Sequence, residues 1–199
     1  SADNGNSDGM IKYGQMLYEG DCIDIDKKEA ARYFKLAADN DDSDGMIKYG
    51  KIIYEGDGME VNKEEASRFF KQAADKGNAY GMIKYGEMLY NGDGIETDKT
   101  EAARYYKMAA DNKNYFGIYE YSKMLYKGDG IEVNKKEAAR YFKMLSEQRL
   151  NCETNASTTN NETDNIKLSK KESSQYFKQA ADEGDSIAMF EYGQLLYEG

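Results

Sequence analysis

GMIKYGQMLYEGDC, from Gly9 to Cys22, settles the architecture because it does not occur once. It returns as GMIKYGKIIYEGDG at Gly45 to Gly58, as GMIKYGEMLYNGDG at Gly81 to Gly94 and as GIYEYSKMLYKGDG at Gly117 to Gly130, each time after a step of 36 residues. A second block follows each first one: KKEAARYFKLAAD from Lys27, KEEASRFFKQAAD from Lys63, KTEAARYYKMAAD from Lys99 and KKEAARYFKML from Lys135. A fixed stride of this size marks a chain assembled from stacked supersecondary units, none of which can bury its own apolar face alone. Two blocks of helical length, separated by turn glycines, predict a pair of helices per unit.

In the first block, helix A, Gly9, Tyr13, Gly14 and Leu17 fall on one broad stripe of the 3.6-residue period. Glycine inside a helix costs roughly 1 kcal/mol relative to alanine. Gly14, Gly50, Gly86 and Gly193, with Ser122 in the same slot, therefore imply a neighbouring helix at close range. In the second block, helix B, Ala30, Tyr33 or Phe34, and Ala37 form a small-beside-large stripe suited to interdigitation. Asp26, Asn62, Asp98, Asn134 and Ser169 each stand three residues before a glutamate, the sequence form of a reciprocal capping box opening helix B. Between the helices, GDG or GDC predicts a tight turn followed by one buried aliphatic residue, Ile23, Met59, Ile95 or Ile131.

The string A/G-x3-Y/L-G-x2-L/Y-x2-G-x-G-I/V, followed by D-x3-A-x2-Y/W-x3-A-A, resembles the Sel-one-like repeat, a relative of the tetratricopeptide repeat. The resemblance implies an all-α fold, a right-handed superhelical α-solenoid of antiparallel helix pairs, and a role as an adaptor for other proteins. One array over residues 1–199 is expected, with units near 8–40, 44–76, 80–112 and 116–148, a degenerate unit at 149–183 and a partial unit at 184–199. The degenerate unit arises because the 36-residue step beyond Gly117, Tyr121, Ser122 and Leu125 lands on Glu153, Ser157, Thr158 and Asn161, which cannot fill a core stripe. An irregular polar loop over 150–168 is expected in place of that helix. Its Asn155-Ala-Ser and Asn161-Glu-Thr fit the glycosylation pattern, as chance allows in so Asn/Thr-rich a run. Both chain ends fall inside a unit, the expectation for a piece of a longer array.

Composition removes several function classes. The chain has no histidine, so the Ser-His-Asp and Cys-His constellations and the usual zinc spacings cannot be built. A net charge of -10 opposes binding to nucleic acid or to an anionic membrane surface. No apolar run approaches the roughly 20 residues that span a bilayer, so direct membrane insertion is not expected. Cys22 and Cys152 form no framework, and the opening SADNGNSDG has neither the basic start nor the apolar core of a secretory signal; a cytoplasmic protein is expected. The GDG turns lack the acidic ladder of a calcium loop, and the sequence calls for no metal, cofactor or catalytic residue.

By resemblance to tetratricopeptide proteins, helix A lines the concave side. Projecting Tyr13, Gly14 and Leu17 inward leaves Ile11, Gln15 and Tyr18 on an adjoining exposed face at i, i+4, i+7. The same slots hold Ile47, Lys51 and Tyr54; Ile83, Glu87 and Tyr90; Tyr119, Lys123 and Tyr126; and Phe190, Gln194 and Tyr197. The outer rows are apolar or aromatic, and the middle row changes charge from unit to unit. That is the composition of a peptide groove, where aromatic anchors supply affinity and varied charges supply register. A bordering row, Lys12, Lys48 and Lys84, then Glu120 and Glu191, would orient an extended ligand with its acidic end over the first units. The expected function is a non-enzymatic scaffold or adaptor that binds a peptide or helix of a protein partner on the concave helix-A face; the resemblance implies a place in signalling or membrane-traffic regulation. A hydrolase-like relative of bacterial members of the family, or a structural spacer in a longer array, are the alternatives.

Overall fold

A computed structural model of the chain describes residues 6–153 and residue 178. Among them every regular element is an α-helix: α1 (Ser7–Glu19), α2 (Lys27–Asp39), α3 (Ser43–Glu55), α4 (Lys63–Asp75), α5 (Ala79–Asn91), α6 (Lys99–Asp111), α7 (Tyr115–Lys127) and α8 (Lys135–Glu153). The odd-numbered helices are the A blocks and the even-numbered ones the B blocks, paired antiparallel in the manner of a repeat solenoid. The chain divides into two compact units, Ser1–Ala109 and Ala110–Gly199. Helix α8 continues to Glu153, through residues 150–153 of the stretch expected to be loop. Neither glycine nor proline interrupts SEQRLNCE there. The rest of that loop, the degenerate and partial units, the cap at Ser169 and the slot at Gly193 lie outside the described residues.

Each helix starts on a side-chain cap. The carboxylate or amide oxygens of Asp26, Asn62, Asp98 and Asn134 accept from the backbone N–H of Glu29, Glu65, Glu101 and Glu137 at 2.9–3.0 Å. The reciprocal half of the box differs from the sequence expectation. The N-cap N–H groups of Asp26, Asn62, Asp98 and Asn134 donate instead to the carbonyls of Leu17, Ile53, Leu89 and Leu125, at 2.8–2.9 Å. These are orphan acceptors in the last turn of helix A, and closing the turn on them satisfies both ends at once. The glutamates are thereby released: Glu29 and Glu101 pair with Arg32 and Arg104, while Glu65 and Glu137 accept from the amides of Asn62 and Asn134. Helix A carries caps that the sequence reading did not find: Asn6, Asp42, Asn78 and Asn114 accept from Gly9, Gly45, Gly81 and Gly117.

In the first unit α1 packs on α2, α2 on α3, α3 on α4 and α4 on α5. The small slot of helix A does what its composition implies. A Cβ built at Gly14 would sit 2.8 Å from the Phe34 ring, at Gly50 3.0 Å from Phe70 and at Gly86 2.8 Å from Tyr106. A second approach is tighter still, because Cβ atoms at Gly45 and Gly81 would lie 2.7 and 2.8 Å from the backbone nitrogens of Ala38 and Ala74 on the preceding helix B. Beside each slot an edge-to-face ring pair crosses the A–B pair: Tyr13–Tyr33, Tyr49–Phe69 and Tyr85–Tyr105 at 4.8–4.9 Å between centroids. Tyr13, projected inward, is 38% exposed, whereas its equivalent Tyr49 is buried. In the second unit α7 packs on α8, Ser122 is buried with its hydroxyl donating to the Tyr119 carbonyl, and Tyr121 repeats the ring pair with Tyr141.

The connection from A to B opens with Gly20, Gly56, Gly92 or Gly128 in the left-handed region, where each N–H returns to the carbonyl of the residue four before it. The aliphatic residue of that turn is not buried as expected. Ile23, Ile95 and Ile131 are half-buried and Met59 is 36% exposed. The turn is already held closed by backbone hydrogen bonds and leaves this side chain at the rim.

Candidate functional site

The helix-A ladder differs in its outer rows from the exposed face projected for it. Ile11 and Ile47 are half-buried, and Ile83 is only 6% exposed. Tyr18, Tyr54 and Tyr90 are half-buried; in the second unit Tyr119 and Tyr126 are buried, at 8% and 9% exposure. A single-helix projection cannot see the neighbouring helices that cover these rows. The middle row does reach solvent: Lys51 is exposed, and Gln15, Glu87 and Lys123 are partly so. Phe190, Gln194 and Tyr197 lie outside the described residues.

The third row has a defined structural use. The Tyr18 hydroxyl donates to Asp57 Oδ2 at 2.5 Å, and Lys27 Nζ donates to Asp57 Oδ1 at 2.6 Å. One repeat later Tyr54 and Lys63 hold Asp93 at 2.5 and 2.7 Å. Each aspartate is the centre of the next repeat's GDG turn, so tyrosine and lysine from one unit grip the loop of its successor. The lysine also lies over the tyrosine ring, 5.2 Å from its centroid at Lys27–Tyr18 and 5.1 Å at Lys63–Tyr54. The hydrogen bonds from Lys27 and Tyr18 hold the Asp57 carboxyl below the ordinary aspartate value, and those from Lys63 and Tyr54 do the same for Asp93. Reciprocally, the hydrogen bond to the carboxylate, with burial behind it, pushes Tyr18 and Tyr54 up to about 12.

The bordering cation row is tied into the same face. Lys48 Nζ donates to Gln15 Oε1 at 2.7 Å, joining α3 to α1, and Lys84 pairs with Glu87 at 2.8 Å within α5. In α7 the sign reversal closes on itself, since Lys123 pairs with Glu120 at 2.9 Å and lies over the Tyr119 ring. The face is thus a polar seam set between rows that hold the stack together. Among the described residues no three His, Cys, Asp or Glu side chains converge as metal ligands, and no helix is long and apolar enough to cross a membrane.

Residues 7–42, 43–78, 79–114, 116–149 and 169–185 match the model of the Sel1 repeat. Among solved structures, c5321, a protective antigen of uropathogenic Escherichia coli with an SLR fold, is similar over the whole chain at 24% identity and a TM-score of 0.73. The chain spans 43% of that protein's length. A Sel1 repeat protein from Oxalobacter formigenes is similar over 93% of this chain and 76% of its own, at 18% identity and a TM-score of 0.69. Comparison with curated proteins gives no match.

Proposed function

The chain belongs to the Sel1 repeat family, whose members are commonly protein-interaction scaffolds, and on that premise we propose that it is a non-enzymatic adaptor that receives a peptide or helix of a partner protein along its helix-A face. The observation that carries this reading is the middle row. Gln15, Lys51 and Glu87 reach solvent at one stride and differ in charge, while the rows beside them are engaged in holding the array. Positions that serve packing recur in kind from unit to unit, as the ring pairs do; positions that differ at constant geometry are free to set the register of a ligand. Tyr18, Tyr54 and Tyr90, half-buried, stand three residues after this row on the same helices and supply the apolar contact. A cytoplasmic setting is part of the same proposal and rests on the sequence, whose two cysteines form no disulfide framework.

Site-specific photocrosslinking tests the reading. A photoreactive residue placed at position 51 or 87 should give a discrete protein adduct in native extract, identifiable by mass spectrometry. One placed at the exposed helix-B position 28 should not. Equal adducts from all three positions would remove the helix-A face from consideration.

A further inference from the structure

Of the asparagines among the described residues, Asn91 alone is followed by glycine; it is the last residue of α5, ahead of Gly92. The pair matters chemically because a glycine, lacking Cβ, leaves its backbone nitrogen unhindered toward the side-chain carbonyl of the residue before it. Asn6, Asn62, Asn78, Asn114 and Asn134 use their side chains as helix caps. Asn91 is exposed, and it opens the turn whose Asp93 is gripped by Tyr54 and Lys63 of the preceding unit. At the 36-residue step its slot holds Glu19, Glu55 and Lys127. An acid is thus accommodated at this position, and the amide is particular to the third unit.

The fold keeps this pair from reacting. The Gly92 N–H donates to the Met88 carbonyl at 2.9 Å, and the Asp93 N–H donates to the same oxygen at 3.0 Å. Thr97 lies over Gly92, and Lys63 packs so closely on the turn that a Cβ at Gly94 would sit 2.5 Å from its own Cβ. With Asn91 helical and Gly92 left-handed, at φ 71, the peptide between them cannot bring its nitrogen onto Asn91 Cγ until the turn opens. The frequency of a local opening is set by the contacts that the opening segment must break. Here those contacts include the hydrogen bonds from Tyr54 and Lys63 to Asp93.

We propose that Asn91-Gly92 is a deamidation site latched by the joint between the second and third units. When the turn opens, the Gly92 nitrogen attacks Asn91 Cγ and a C–N bond forms. The Cγ–Nδ2 bond breaks, and ammonia leaves with the proton given up by Gly92. Water then opens the cyclic imide in one of two ways. Cleavage of the new N–Cγ bond gives aspartate on an unchanged backbone, which the turn tolerates as it does Glu19 and Glu55. Cleavage of the original peptide C–N bond gives isoaspartate, whose chain runs through Cβ and Cγ. That extra methylene moves the Gly92 N–H off Met88 and Asp93 out of register with Tyr54 and Lys63, so the reaction releases the joint irreversibly.

Peptide mapping by mass spectrometry tests this, following the amide-to-acid mass gain at Asn91 in the full chain in mildly alkaline buffer, with and without concentrated urea. Without urea the reaction should be at least about tenfold slower. Tyr54→Phe removes one of the latching hydrogen bonds and should speed the reaction in buffer about fivefold, while matching the parent in urea. Tyr18→Phe removes the same bond from the joint at Asp57 and should leave the rate within about twofold of the parent's. Equal rates with and without urea would show that the turn does not guard the pair, and would overturn the proposal. So would an unchanged rate in Tyr54→Phe, or equal acceleration by the two variants, which would assign the reaction to unfolding of the whole stack.

Discussion

The two kinds of turn in this chain make the same backbone demand and answer it differently. In the A-to-B turn, Gly58, Gly94 and Gly130 have φ of 78–85; in the B-to-A turn, Asp41, Gly77 and Lys113 have φ of 58–89. Only the first kind is also closed to a side chain. A Cβ at Gly58 would lie 2.6 Å from Lys27 Cβ, and one at Gly94 2.5 Å from Lys63 Cβ, whereas Gly77 has nothing within 4 Å. Glycine is therefore required twice over where the preceding repeat packs onto the turn, and only for backbone strain where it does not. The open turn is free to carry Asp41 or Lys113, and with them chemistry that differs between repeats.

The widest gap should appear between Gly58→Ala and Gly77→Ala. Left-handed strain and overpacking together cost Gly58→Ala about 3 kcal/mol; strain alone costs Gly77→Ala about 1 kcal/mol. Urea unfolding of the two variants measures this directly, and equal losses would break the comparison. The junction that closes the first turn is tested next. Tyr54→Phe removes the hydroxyl bound to Asp93 and should cost about 1 kcal/mol, the value of a half-exposed hydrogen bond to a charged acceptor.

The same junction sets a pH window. Asp57 and Asp93 titrate below the ordinary aspartate value in the folded chain, so their contribution is present above about pH 4 and lost as pH falls through the lowered folded value. Tyr18 and Tyr54, raised to about 12, contribute fully below pH 10 and lose that contribution as pH climbs through 12. The difference in melting temperature between the parent and Tyr18→Phe/Tyr54→Phe should accordingly shrink as pH falls from the ordinary aspartate value, about 4, through the lowered folded value. A difference that stays constant throughout the acid limb would dissociate the hydroxyls from the carboxylates. The smallest effects belong to the non-glycine residues in left-handed backbone. Cys22→Gly, at φ 63, and Lys113→Gly, at φ 58, should each gain roughly 0.5–1 kcal/mol, read as a higher urea midpoint at unchanged slope.

The stride, the helix pairs, the helix-B caps and the small slot at Gly14, Gly50 and Gly86 were legible because each is local or repeats in phase. What one helix cannot reveal is what its neighbour covers. Ile83, Tyr119 and Tyr126 project onto an outer face of their own helix, yet all three are buried. The aspartate of GDG reads as a turn residue in isolation; its partners stand 39 residues earlier at tyrosine and 30 earlier at lysine, in another repeat. That constant offset was available in the sequence, and counting between repeats would have found it. The helix-A caps were equally available, as Asn or Asp three residues before Gly9, Gly45, Gly81 and Gly117. The reciprocal capping box failed for a different reason, since a carbonyl across the turn competes for the N-cap N–H and wins.

The grip of Tyr18 and Lys27 on Asp57, repeated by Tyr54 and Lys63 on Asp93, runs in one direction only: the earlier unit supplies the donors and the later one the acceptor. Such a joint has a plug and a socket. Whole units can be duplicated or deleted by recombination without redesign of the seams, because every plug fits every socket, and damage to one seam stays between the two modules that share it.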